Sequence, residues 1–125
     1  SKDDLLAEVL AHDQDLALAR IATWAAGSSG GGPGEFVDAL FRELGAWADR
    51  PRWRGSGFTR LVMELADLPG HPARAIARNH KVAIEAWIAQ ALSSRGDPSP
   101  KESARDVMLL IEGAMSLMLV SGDVT

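Results

Sequence analysis

The 125-residue sequence predicts an all-α fold, namely a bundle of about five helices in a single domain. Apolar residues recur at three- and four-residue intervals along most of the chain, which is the period of an amphipathic helix. No segment alternates polar and apolar residues as a half-buried strand would. Clusters of glycine, proline and serine separate the periodic stretches and mark the turns between the predicted helices.

The first helix is predicted from the start of the chain to about Ala26. Ser1-Lys2-Asp3-Asp4 has the form of a helix N-cap, with an acidic residue three positions after the serine. Apolar residues follow at helical spacing, and the glycine-rich stretch 27–34 ends the helix. Asp13 and Arg20 interrupt the apolar side, and we expect them to pair with neighbours near the surface. The alternative is that they contact a ligand pocket or another domain.

The second and third helices are predicted over about residues 35–50 and 58–68. Pro51 stops the second helix, because proline has no backbone N–H and its ring clashes with the preceding turn. Residues 68–72 break the chain again, and Pro72 is well placed as the first residue of the next helix.

The fourth and fifth helices are predicted over about residues 72–94 and 101–121, with a proline-rich turn at 96–100. After Val107 the last helix is apolar almost all the way round, so it must be covered on more than one side. A single domain of five helices would not cover both sides. We therefore expect a homodimer in which the last two helices of each chain form an intersubunit four-helix bundle. The residues expected at this dimer interface are Val82, Ala86, Ala89, Val107, Leu110, Ile111, Ala114, Leu117 and Met118.

The composition argues against several classes of protein. There is no cysteine, which excludes a disulfide framework, a thiolate metal site and a cysteine nucleophile. The net charge of −4 argues against a nucleic-acid-binding surface within these residues. The apolar run 107–120 is interrupted by Glu112 and is too short to span a bilayer, so no membrane partner is expected. No complete metal-ligand set and no catalytic constellation occurs, so we expect no metal, no other cofactor and no enzyme activity.

Short segments spread over nearly the whole chain have an order and spacing that are found together in one protein family. They are Ser1-Lys2-Asp3-Asp4-Leu5-Leu6, Arg54-Gly55-Ser56-Gly57-Phe58, His71-Pro72 followed by His80-Lys81 and Trp87, Leu110-Ile111-Glu112-Gly113-Ala114, and Ser121-Gly122-Asp123. These segments resemble those of the TetR family of bacterial transcriptional regulators.

The resemblance implies that residues 1–125 are the C-terminal effector-binding and dimerisation domain of such a regulator. Residues 1–26 would then include the helix that connects this domain to the DNA-binding domain. A three-helix domain with the helix-turn-helix is expected before Ser1, and operator DNA would be bound only through it. The resemblance further implies a homodimer, a small-molecule effector and a cytoplasmic protein.

His80 and Glu112 interrupt apolar helix faces, and three interpretations stay open for them. They line a ligand cavity, where a few polar groups among apolar walls orient a small molecule, or they form a buried pair that fixes helix register. The third is that one of the two is exposed. The resemblance favours a pocket within the core of the same helices. Besides His80 and Glu112, the residues expected to line it are Trp24, Phe36, Leu40, Trp47, Phe58, Val62, Trp87, Met108 and Met115.

We therefore expect a ligand-controlled transcriptional regulator of the repressor type. Its operator binding would be released by a small, largely hydrophobic or aromatic ligand that carries a cationic or hydrogen-bonding group. The alternative is a helical homodimer that serves as a scaffold or protein-interaction module and has no small-molecule effector.

Overall fold

The computed structural model describes residues 2–26, 31–50 and 72–121, and four helices account for nearly all of them. We number these helices α1 (Lys2–Ala26), α2 (Pro33–Ala48), α3 (Pro72–Ser94) and α4 (Pro100–Ser121). The described residues contain no strand, and the predicted all-α fold is confirmed. The short helix predicted at 58–68 lies outside the described residues.

The start of α2 follows from one proline. The helix begins at Pro33, slightly before the predicted start near Glu35, with Gly32 as its N-cap in an extended conformation. The N–H of Phe36 donates to the Gly32 carbonyl at 3.2 Å, which closes the first helical turn. Proline suits this position because the first helical N–H has no intrahelical acceptor in any case.

The connection between α3 and α4 is a sharp turn at Gly96. The N–H of Gly96 donates to the Ser93 carbonyl and the N–H of Asp97 to the Leu92 carbonyl, each at 3.1 Å. This pair of bonds is the Schellman motif, and it requires the left-handed backbone that Gly96 adopts with φ +89°. Ser99 then donates its N–H to Asp97 Oδ1 at 2.8 Å just before Pro100 begins α4. The turn lets α3 and α4 pack along each other, and they make the most extensive contact of any two described helices.

The core of the described residues lies between α2, α3 and α4. Phe36, Ile88 and Leu92 are its largest fully buried side chains, and Val107 and Met108 of α4 pack into the same cluster. Helix α1 packs against α2 and α3 and adds the half-buried side chains of Leu18, Ile21 and Trp24. All four helices therefore meet where the C-terminal half of α1 crosses the core.

The outer side of α1 carries an apolar stripe. Leu5, Val9 and Leu16 are exposed, and at 100° per residue they fall within about 40° of one another around the helix axis. The remaining large exposed apolar side chains of the described residues belong to α3 and α4.

Candidate functional site

An apolar cleft opens where the four described helices meet, with about 80 Å³ of interior space. Each helix supplies residues three or four positions apart, which lie on one helix face. Helix α1 supplies Arg20, Ile21 and Trp24; α2 supplies Leu40, Leu44 and Trp47; α3 supplies His80, Lys81, Ile84 and Ile88; and α4 supplies Met108, Ile111, Glu112 and Met115.

One wall of the cleft is aromatic. The rings of Trp24 and Trp47 are tilted at 55° with centroids 6.1 Å apart, a distance typical of interacting aromatic pairs. The guanidinium carbon of Arg20 lies 4.7 Å from the centroid of the Trp47 ring, in cation–π contact. Arg20 is therefore placed at the cleft, whereas the sequence favoured an ion pair near the surface. No carboxylate among the described side chains pairs with it.

The part of the lining that α3 and α4 supply contains an ion pair between these two helices. The Lys81 ammonium group donates to the Glu112 carboxylate, and both side chains are partly buried. His80, the neighbour of Lys81, is 3% exposed. The sequence offered His80 as the partner of Glu112, and the structure shows Lys81 hydrogen-bonded to one oxygen of that carboxylate. His80 and Glu112 nevertheless both line the cleft.

The structure brings most of the predicted cavity residues together. Apart from His80 and Glu112, the predicted residues that line the cleft are Trp24, Leu40, Trp47, Met108 and Met115. Phe36 and Trp87 are not among the described residues that line it. Their rings pack on each other in the core at 6.1 Å, and Arg95 covers the Phe36 ring at 4.6 Å. Phe58 and Val62 lie outside the described residues.

Six lining residues were missed by sequence reasoning: Ile21, Leu44, Lys81, Ile84, Ile88 and Ile111. A signal was present for all of them except Lys81, because each of the others lies at three- or four-residue spacing from a predicted or lining residue on the same helix face, as Ile84 and Ile88 do after His80. Lys81 carried no such signal, since a lysine beside an apolar stripe usually lies in solvent.

The predicted dimer interface divides into exposed and buried residues. On α3, Val82 is 63% exposed and Ala86 is also exposed. On α4, Leu110 and Leu117 are 60% and 69% exposed. Ala89, Ala114 and Met118 are half-buried, and Ile111 is half-buried and lines the cleft. Val107 is only 6% exposed and lies in the chain's own core, so the exposed face does not include it.

An outer groove of about 370 Å³ runs between α3 and α4 beside this exposed face. Arg105 of α4 and Glu85 of α3 form an ion pair of 3.1 Å along it. Lys81, Met108 and Glu112 line both the outer groove and the inner cleft. The Lys81–Glu112 ion pair therefore lies between the outer groove and the inner cleft.

The described residues offer neither a metal centre nor a membrane span. No three His, Asp or Glu side chains among residues 2–26, 31–50 and 72–121 converge as metal ligands. None of the four helices in these ranges is both long enough and apolar enough to cross a membrane.

The described residues thus combine an all-helical fold with an interior cleft and an exposed apolar pair of helices. A crystal structure of a candidate TetR transcriptional regulator from Streptomyces avermitilis matches 99% of this chain with a TM-score of 0.78 and 27% sequence identity. The chain spans 66% of the length of that protein. No protein-family model matches the sequence, and no curated protein matches it. The chain has a TetR-like fold, and the resemblance inferred from the sequence is confirmed at that level.

Proposed function

We propose that this chain is the effector-binding and dimerisation domain of a TetR-like transcriptional repressor. The observation that carries the proposal is the cleft, in which ten apolar side chains surround four polar ones and which all four described helices share. A concave, mainly apolar lining with a few converging polar groups is typical of small-molecule sites. Such sites usually enclose roughly 300–1,000 Å³, so a drug-sized ligand would have to widen the space of about 80 Å³ seen between the described residues.

The cleft is placed so that a ligand acts on α1. Arg20, Ile21 and Trp24 line it near the C-terminal end of that helix. At a rise of about 1.5 Å per residue, the far end at Lys2 lies roughly 28 Å from Ile21. A pivot of about 5° at the cleft then moves that end by roughly 2.5 Å. A ligand that prefers one orientation of α1 shifts the population toward it by its difference in affinity for the two states.

Such a movement controls operator binding if α1 connects to a DNA-binding domain in the whole protein. A dimeric helix-turn-helix regulator reads two half-sites one helical turn of DNA apart, or a multiple of it. The exposed face of α3 and α4 supplies the dimer contact in this proposal. A ligand that changes the separation of two α1 helices then weakens binding to a fixed half-site spacing.

The cleft can be tested by filling it. Ile111→Trp places an indole in the cleft, and Ile111→Phe is a milder replacement for the case in which the tryptophan variant does not fold. Ala46→Trp adds the same bulk at an exposed position of α2 outside the cleft. A neutral aromatic probe, naphthylethanol, should raise the Tm of the wild type and of Ala46→Trp in a concentration-dependent way, as mass action requires.

The filled variants should lose this response while their helical circular dichroism is unchanged. A wild type whose Tm does not respond to naphthylethanol or to other hydrophobic probes would favour a helical scaffold without an effector. An equal response in the filled variants would place the ligand somewhere other than the cleft.

A further inference from the structure

The charges that line the cleft do not cancel. Among the described residues that line it, Arg20 and Lys81 are cations and Glu112 is the one anion. Glu112 is occupied by Lys81, so this pair contributes no net charge to a ligand. Arg20 therefore gives the described part of the lining a net positive charge.

The position of Arg20 suits contact with a ligand. Its guanidinium group rests on the face of Trp47, which leaves the edge of the group with its N–H donors available. Arg20 is exposed, so it lies at the rim of the cleft, whereas Leu40, Ile84 and Ile88 are buried in its interior. A ligand that enters the apolar interior would therefore present its outer end to Arg20.

We propose that the effector is an aromatic anion, with a carboxylate that binds Arg20 and a ring that lies among the apolar residues beside Trp24 and Trp47. This inference rests on the proposed function and names the chemistry of its ligand. Of the cationic or hydrogen-bonding group that the sequence suggested, it replaces the cationic form with an anion, because the carboxylate of Glu112 that would have received a cation already pairs with Lys81. A planar guanidinium binds a carboxylate through two parallel N–H···O bonds, a geometry that an ammonium group does not offer.

The test uses three probes with one carbon skeleton and different charge: naphthylacetate, naphthylethanol and naphthylethylamine. Their dissociation constants are measured by titration calorimetry on the wild type and on Arg20→Gln, Arg20→Lys and Lys81→Met. Arg42→Gln is the matched control, since Arg42 is an exposed arginine of α2 that does not line the cleft.

We expect the wild type to bind naphthylacetate most tightly and naphthylethylamine least tightly. Arg20→Gln should raise the dissociation constant of naphthylacetate by about tenfold, which is the lower end of the contribution of a hydrogen bond to a charged group. The dissociation constant of naphthylethanol should change by less than about twofold, because it carries no charge. Arg20→Lys should retain part of the affinity, and Arg42→Gln should bind all three probes as the wild type does.

Other outcomes separate the two proposals. Equal or tighter binding of naphthylethanol or naphthylethylamine overturns the anionic ligand but leaves the effector cleft intact. A loss of naphthylacetate affinity in Lys81→Met but not in Arg20→Gln overturns the assignment to Arg20. An absence of binding by all three probes overturns both the ligand chemistry and the effector cleft.

Discussion

At the scale of single residues, the core and the surface of the chain should respond differently to the same truncation. Leu92 is 1% exposed and packs in the core, whereas Leu5 is 63% exposed on α1. Leu92→Ala should lower the free energy of unfolding by about 2–5 kcal/mol, because it removes buried methyl groups and leaves a cavity. Leu5→Ala should change it by less than about 0.5 kcal/mol. Urea denaturation at one fixed protein concentration measures both, and equal losses would contradict the placement of the core.

The partner of Glu112 shows what single residues leave undetermined in a sequence. His80 and Lys81 are adjacent in α3, and either could reach an acid on the neighbouring helix. Which one does so depends on the rotation of α3 against α4, which is set by packing rather than by local sequence. The same holds for Arg20, whose contact is with Trp47 on a different helix.

At the scale of elements, two glycines should have opposite effects when they are replaced by alanine. Gly96 has φ +89°, and an L side chain there should cost about 1–2 kcal/mol of the free energy of unfolding. Gly45 lies inside α2, where a Cβ atom would meet nothing within 4 Å. Gly45→Ala should therefore stabilise the protein by about 0.5–1 kcal/mol, since alanine loses less backbone entropy in a helix. Thermal and urea denaturation measure the change in stability of the two variants. If Gly96 did not adopt the left-handed backbone of the Schellman turn, both substitutions would stabilise the protein.

The helices could be predicted from sequence because their ends are local. Pro33, Pro72 and Pro100 each occupy a first helical position, and Gly96 ends α3, so the signals lie within a few residues of each boundary. The cleft could be predicted only in part. Phe36 has the same helical spacing as Leu40, yet it packs into the core while Leu40 also lines the cleft. Spacing identifies the buried face of a helix, but the division of that face between core and cleft is a property of the assembled bundle.

At the scale of the whole molecule, the face of α3 and α4 links the fold to its proposed assembly. It carries Val82 and Ala86 on α3 and a group of exposed leucines on α4. Small residues on one helix and leucines on the next allow two such pairs to approach closely as a four-helix bundle. Because Lys81 and Glu112 line both the outer groove and the inner cleft, this face and the ligand site share side chains.

The assembly can be tested by placing a charge on that face. Leu110→Glu and Leu117→Glu replace exposed leucines of α4, and an unpaired carboxylate in a closed interface is costly. Sedimentation velocity should show a dimer for the wild type and a monomer for both variants. Leu16→Glu is the matched control, since Leu16 is an exposed leucine on α1 and should leave the dimer unchanged. Dimers of unchanged affinity in both α4 variants would show that the subunits associate through another surface. A ligand would then have to change the half-site spacing through that other surface.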